Sequence, residues 1–389
     1  MPAGIWTLGI ASLFMDSSSE LIHSLMPVFM STVLGASMAT IGVIEGVAEA
    51  TASITKVFSG AISDHFRKRK LPTVLGYALA ALTKPIFPLA SSIGWVFGAR
   101  FIDRVGKGIR GAPRDALVAD ITPPPLLGAA YGLRQALDSV GAFVGPLLAV
   151  AFMVWFSNNL RAVLWVAVAP AFMAVAMLVF FLREPEKTSA ELKAPPTLAD
   201  TKRLPFAFWL VVALGLVFNL ARFSEAFLVL RAKDVGLSIG RVPLIMIVMN
   251  VVYAGVAYPA GAAADRLSHR SLLLVGLAFL IAADVFLAVA VTPLFAYAGA
   301  ALWGLHLAFT QGLFSKLVAE VAPADLRGTA FGVFNLAGGV ALLLASAIAG
   351  VLWGNFGART TFLTGAGFAA AAAAGLLFYR PAGVRRAAA

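Results

Sequence analysis

Hydrophobic residues in this chain run in long blocks, and the polar positions between them are few and clustered. A helix crosses a bilayer with about 20 apolar residues. Reading between proline, glycine and charge breakers predicts twelve such helices, at 5–33, 39–63, 72–90, 93–121, 126–156, 161–182, 205–232, 241–264, 271–291, 294–321, 326–353 and 359–379. Charged residues interrupt the first, second, fourth and fifth. The longest polar stretch, Arg183 to Leu204, has proline, charge and no apolar period, and predicts a linker. The expected architecture is an all-α membrane protein with two six-helix halves, 1–182 and 205–389, joined by a cytoplasmic linker at 183–204.

Composition agrees. The chain is 60% hydrophobic and only 13% charged, against roughly 25% charged in soluble domains. Its net charge of +11 would suggest nucleic acid in a soluble protein. Here the cations gather in loops on one side, so no nucleic-acid partner is expected. Six spans per half put both termini and the linker on the same side; its loops hold 15 Lys and Arg against 4 on the other. The positive-inside rule then predicts an inner-membrane protein with cytoplasmic termini. The first span carries Asp16 and Glu20 and lacks a basic leader, so it reads as a retained span. The absence of cysteine excludes disulfides and thiolate chemistry. There is no P-loop, His-Glu-x-x-His or Gly-x-Ser-x-Gly. Neither enzyme activity nor a cofactor is expected, and transport would have to draw on an ion gradient.

The halves repeat. Gly60-Ala-Ile-Ser-Asp64 aligns with Gly261-Ala-Ala-Ala-Asp265 at an offset of 201. Leu117-Val-Ala-Asp-Ile-Thr-Pro123 aligns with Leu317-Val-Ala-Glu-Val-Ala-Pro323, and Gly128-Ala-Ala-Tyr-Gly132 with Gly328-Thr-Ala-Phe-Gly332, both at 200. A six-span unit repeated in parallel suits a transporter built around a central cavity.

The polar exceptions carry the chemistry. Arg100, Asp103, Arg104, Lys107, Arg110, Arg114 and Asp115 fall within about 140° of one helix face. Charges at bilayer depth are costly unless they face a cavity or each other. Asp16, Glu20 and His23 share one stripe of the first span. Carboxylates removed from water can bind and release protons near neutral pH. With Arg100 or Arg104 opposite, Asp16 and Glu20 are candidates for proton coupling; the alternative is a static ion pair. Glu45, Glu49 and Lys56 share a face of the second span, Arg134 and Asp138 are i, i+4 on the fifth, and Lys84 precedes Pro85 in the third. These read as a structural network, some of whose members line the solute path with Lys107 and Arg110.

The repeat supplies a control. At offset 200, Arg114, Asp115, Arg134 and Asp138 become Phe314, Ser315, Phe334 and Gly338. The scaffold does not need these charges, so coupling is expected in the N-terminal half. The C-terminal half offers a more apolar wall with Asn219, Arg222, Glu225, Asn250, His306 and Gln311; Arg222 and Glu225, at i, i+3, could simply pair.

These features together resemble the major facilitator superfamily over essentially the full length. Its loop 2–3 signature, Gly-x-x-x-Asp-Arg-x-Gly-Arg-Arg/Lys, reads here Gly60-x-x-x-Asp64-His65-Phe66-Arg67-Lys68-Arg69-Lys70, and again Gly261-x-x-x-Asp265-Arg266-x-Ser268-His269-Arg270. His65 and Arg67 depart from the pattern in the first copy, and the second loses its later glycine. The resemblance implies that Gly60, Asp64, Arg67, Gly261, Asp265 and Arg266 form a cytoplasmic gate. Arg100 or Arg104 with Gly106 and Gly108 resembles the family's helix-4 pattern. Gly141-x-x-x-Gly145-Pro146 resembles its antiporter motif, without the trailing glycine pair. Small residues at i, i+4 also serve plain helix packing. The blocks Phe14 to Glu20 and Asp103 to Arg110 are similar to a prokaryotic permease subgroup.

The sequence therefore leads to a monomeric secondary transporter using alternating access, with protons and a small molecule as partners, and to proton-coupled export of a small organic solute or drug. The alternative is a proton-coupled importer of an organic anion or metal chelate. His23, Met26 and Met30 would suit a soft metal such as Cu(I), but copper transport is a lesser reading and no resident metal is expected. A non-transport membrane receptor would need neither the buried charges nor the duplicated loop. The absence of native cysteine makes the topology directly testable. A cysteine placed at Lys193 should react with an impermeant maleimide only in inverted vesicles, and one at Arg241 only in intact cells; the reverse pattern would invert the predicted orientation.

Overall fold

A computed structural model describes residues 1–66, 69–183, 198–264, 267–310, 313–323 and 326–378. The described residues form helices joined by short turns. The N-terminal half comprises α1 (Ala3–Thr32), α2 (Met38–Phe66), α3 (Lys70–Thr83), α4 (Ile86–Leu89), α5 (Ile93–Ile121), α6 (Leu127–Trp155), α7 (Leu160–Val166) and α8 (Val168–Phe181). The C-terminal half comprises α9 (Phe206–Ala221), α10 (Ala226–Asp234), α11 (Leu244–Ala264), α12 (His269–Ala288), α13 (Pro293–Thr310), α14 (Leu313–Val321) and α15 (Arg327–Phe378). These helices make the twelve spans. Of the linker, Leu198–Arg203 forms a 3-10 turn, and 184–197 lie outside the described residues.

Several spans are interrupted, and local chemistry explains most of the breaks. The third divides into α3 and α4 at Lys84-Pro85, where proline supplies no backbone N–H. The sixth divides at Ala167, whose carbonyl accepts the Ser18 hydroxyl at 2.6 Å. The seventh, expected as one helix, is non-helical between Ala221 and Ala226. The eleventh and twelfth meet at Gly357, whose φ of 81° favours glycine. There the chain doubles back, so that Thr361 Oγ1 donates to the Ala349 carbonyl 3.4 Å away.

Among the described residues, six segments are apolar and long enough by themselves to span a membrane, and one of them, Thr329–Leu377, contains two spans. The first four spans are missing from that set because interior charges dilute their hydropathy or a break shortens them. The tenth is missing as well, its helix Pro293–Thr310 ending where 311–312 lie outside the described residues. The outer surface is apolar, with Trp155, Phe180, Phe206 and Tyr258 all largely exposed. In a soluble protein such a surface would demand a partner; here lipid provides it.

The two halves meet along α2 with α15, α1 with α10, and α6 with α11. Glycine lets the first pair approach closely. A Cβ on Gly42 would lie 2.2 Å from the Ser346 carbonyl oxygen, and one on Gly350 2.5 Å from that of Met38. One buried apolar cluster spans both halves and includes Leu21 to Met30 of α1 and Phe227 to Leu230 of α10. Two smaller clusters each stay within one half, around Ile5, Leu8 and Leu117 and around Phe208, Val211 and Val318. Both lie at the end carrying the N-terminus. The halves therefore share a core at one end and keep separate cores at the other.

Gly42→Val should strain the α2–α15 seam, since a backbone oxygen cannot yield as a flexible side chain does. The expected loss is about 1–3 kcal/mol, read as a lower melting temperature in detergent. An unchanged melting temperature would show that this seam is loosely packed.

Candidate functional site

Eight charges lie along α5, the seven named above and Asp120, and Arg100, Asp103, Arg104 and Arg110 among them are buried. Neighbouring helices supply their partners. Arg100 pairs with Glu45 of α2, with both side chains buried. Arg104 Nη2 lies 3.1 Å from Glu49 Oε1 and 3.4 Å from His23 Nδ1 of α1. Lys84 Nζ donates to Asp103 Oδ1 at 2.7 Å and to Ser19 Oγ at 3.1 Å. Arg110 Nη2 lies 3.7 Å from Asp16 Oδ1, and its guanidinium covers the Tyr77 ring at 4.4 Å. Near the end of α5, Arg114 and Arg134 share Asp115 and Asp138. The tightest contact there is Arg134 Nη1 to Asp138 Oδ2 at 2.9 Å.

This pairing differs from the expected one. Arg100 and Arg104 were expected opposite Asp16 and Glu20, but they turn to the glutamates of α2. Asp16 meets Arg110 instead, because α1 and α5 run in opposite directions and its height on α1 matches a later turn of α5. Glu20 makes no ion pair or side-chain hydrogen bond among the described residues.

Gly141 and Gly145 of α6 are contact points with α1. A Cβ on Gly141 would lie 2.7 Å from the Leu13 carbonyl oxygen and 3.0 Å from Asp16 Cβ; one on Gly145 would lie 2.7 Å from the Ser17 oxygen and 2.8 Å from Glu20 Cβ. Pro146 is buried beside them. The glycine pair thus packs directly beneath the two acids of α1.

Two cavities open between the halves. The larger, about 470 Å³, is lined by Asp16, Glu20, Glu49, Lys56, Lys107, Arg110, Arg114, Asp115 and Asp138, with Asn250 and Tyr253 facing them from α11. It extends toward the end with separate cores, because its lining uses the later turns of α5 and the earlier turns of α6. The smaller, about 170 Å³, is bounded by Glu20, His23, Glu49, Arg104 and Lys107 on one side and by Arg222 to Glu225, Leu342 and Ser346 on the other. Glu20, Glu49 and Lys107 line both, so the two are neighbours. Arg222 and Glu225 do not pair with each other.

Other expected residues lie elsewhere. Asn219 packs against Gly338 and lines neither cavity. Asn250 Nδ2 donates to the Ala142 carbonyl at 3.3 Å, across the halves. His306 Nδ1 donates to the Gly276 carbonyl at 2.9 Å from a fully buried position. Met26 and Met30 sit in the shared apolar cluster. Among the gate residues, Gly60 is helical in α2 and Gly261 is exposed on α11. The Asp64 side chain, Arg67, Asp265 and Arg266 lie outside the described residues, as does Gln311. Arg69 of the same loop pairs with Asp120 at the end of α5, 2.8 Å away.

The repeat is visible in space. Phe314 and Phe334 stack 5.8 Å apart, where their counterparts Arg114 and Arg134 hold a charge cluster. Sequence reading missed Asp284, which is fully buried on α12 with both carboxylate oxygens unpartnered. Its signal was available, since it is the one charge in the span 271–291.

The sequence model described as Major Facilitator Superfamily matches residues 8–231 and 221–389. An uncharacterized MFS-type transporter of Methanocaldococcus jannaschii is 30% identical over 382 residues, covering 96% of this chain and 94% of the relative. Multidrug resistance protein 2 of Bacillus subtilis is 28% identical over 253 residues, covering 60% of this chain and 62% of that protein. Among solved structures, a POT peptide transporter in complex with sulfate has a TM-score of 0.82 at 14% identity, covering 97% of this chain and 94% of its own. A bacterial homologue of the human lysosomal transporter Spinster, inward-facing and unoccupied, has 0.75 at 15%, covering 96% and 95%. The chain belongs to the Major Facilitator Superfamily. It is a membrane-spanning transporter and not an enzyme.

Removing one member of a buried pair strands the other charge. Glu45→Gln should cost about 3–5 kcal/mol, whereas joint replacement by Glu45→Leu and Arg100→Met should cost less. Melting temperatures in detergent test this, and a Glu45→Gln protein as stable as the parent would sink it.

Proposed function

We propose that the chain is a monomeric, proton-coupled secondary transporter of the inner membrane that exports a small polar organic solute, with both termini and the linker in the cytoplasm. The observation that carries the reading is Glu20, an acid without an ion partner where the two cavities meet, among the fixed cations of α5. An ion gradient drives transport only if protonation changes the relative energies of two conformations. Charge on Glu20 favours keeping Lys107 and Arg104 close; its neutralisation removes that attraction. Asp16, held by Arg110 at the longer distance of 3.7 Å, is the second candidate carrier.

The packing of Gly141 and Gly145 beneath these acids supports a mechanical link, because movement between α1 and α6 would carry both carboxylates. Separate cores at the end carrying the N-terminus support a state open on that side, which the loop cations assign to the cytoplasm. Asp64, Arg67, Asp265 and Arg266, with Gly60 and Gly261, are proposed to stabilise the state closed there. The export direction draws on the antiporter-like glycines and on the relative named as a multidrug resistance protein. The strongly charged lining favours a polar cargo over an apolar drug. A second reading, proton-linked import of an organic anion, is favoured by Lys56 and Lys107, which line the larger cavity and have no carboxylate partner among the described residues.

Transport of a labelled compound panel in inverted vesicles, with and without an imposed pH gradient, tests both readings. Accumulation driven by a proton-rich lumen supports export; accumulation only with the opposite gradient supports import. For a transported compound, Glu20→Gln and Arg104→Gln should each abolish gradient-driven accumulation while sparing exchange. Phe314→Ala should change selectivity without uncoupling. Full gradient-driven accumulation by Glu20→Gln would remove Glu20 from the mechanism.

A further inference from the structure

The seventh span is broken where it reaches the smaller cavity. The backbone leaves helical geometry at Arg222, with φ −112° and ψ 81°. The break is built into the packing. Phe223 is held among Phe227, Trp303 and Phe362, with ring centroids 5.4 to 5.6 Å away. The Ser224 amide donates to Ser346 Oγ at 3.1 Å, and Ser224 Oγ accepts from the Ala226 amide at 3.2 Å. Arg222 and Glu225 flank this anchored pair and line the cavity.

Opposite them stand Glu20 and Lys107. None of these four side chains makes an ion pair or hydrogen bond among the described residues, and all four line the same cavity. Each half therefore contributes one uncommitted acid and one uncommitted cation. His23 lines the same cavity and is 8% exposed, and its Nε2 has no hydrogen-bond partner among the described residues, which leaves one more polar atom free beside the four charges.

We propose that this junction binds the head group of a zwitterionic solute, with its acid group on Lys107 and Arg222 and its ammonium on Glu20 and Glu225. A plain anion would face two unmatched carboxylates, and a plain amine two unmatched cations. Uncompensated charges in a poorly solvated site oppose binding. The volume of about 170 Å³ equals roughly six waters at about 30 Å³ each, room for an ammonium and a carboxylate on neighbouring carbons. The remainder of the solute would extend into the larger cavity. The inference rests on the transport reading above and deepens it: proton and ammonium compete for Glu20, so loading one releases the other.

The test measures equilibrium binding to the purified transporter in detergent at one pH, by calorimetry and thermal unfolding, with four six-carbon probes: norleucine, 6-aminohexanoate, hexanoate and hexylamine. Norleucine should bind best, with hexanoate and hexylamine at least about tenfold weaker, the loss expected for one charged hydrogen bond. Arg222→Gln, Glu225→Gln and Lys107→Gln should each weaken norleucine binding by about tenfold or more. Using both halves keeps the test decisive if one variant folds poorly, which its elution profile and unliganded melting temperature will show. Binding of hexanoate or hexylamine as tight as that of norleucine, binding by none of the probes, or unchanged affinity in the folded variants would overturn the proposal. No gradient is present, so an uncoupled protein would still bind. Failure of coupling in vesicles would remove the proton mechanism and leave the head-group site standing.

Discussion

A charge held away from water must find a counter-charge or a polar cavity, because the bilayer interior solvates neither sign. That constraint governs the N-terminal half. α5 brings Arg100, Asp103, Arg104 and Arg110 into the bundle, and partners arrive from α2, α3 and α1 in turn. Each pairing fixes the height and rotation of one helix against another. Apolar packing alone specifies these less sharply, since lipid tails are as apolar as the side chains they replace.

The C-terminal half solves the same packing problem without most of those charges. Phe314 and Phe334 stack where the N-terminal half places arginines, and the broken seventh span is anchored by aromatic rings and two serines. The repeat keeps the turn motifs, while the close-packing Gly141 and Gly145 become Ala341 and Ala345 and the charges are replaced. One half is a network of exchangeable ion pairs; the other is a firmer wall that offers Arg222 and Glu225 to the space between them.

The division of the apolar core has a mechanical consequence. In the proposed alternating-access reading the shared cluster would serve as the hinge, because separating it would expose buried surface. The two clusters confined to single halves would let those ends separate at smaller cost, and the charged cavities lie where rocking of the halves would change their surroundings most.

Much of this was legible in the sequence. The twelve spans, the repeat and the charged face of α5 all follow from local patterns, since hydropathy and helical periodicity operate over neighbouring residues. Asp16, Glu20, Glu45, Glu49 and Lys107 stood out because a charge in an apolar span is rare. Which of them meet was not legible. The partners Arg100–Glu45 and Arg110–Asp16 depend on the relative direction and height of helices far apart in sequence. The break at Arg222 to Glu225 has no glycine or proline to announce it; it arises from contacts with Trp303, Ser346 and Phe362, each more than 70 residues away. The sequence by itself determined that charges are buried, and where along each helix. Tertiary packing decided which are neutralised and which, such as Glu20, Lys107, Arg222 and Glu225, are left without an ion partner among the described residues, because neutralisation depends on distance through space.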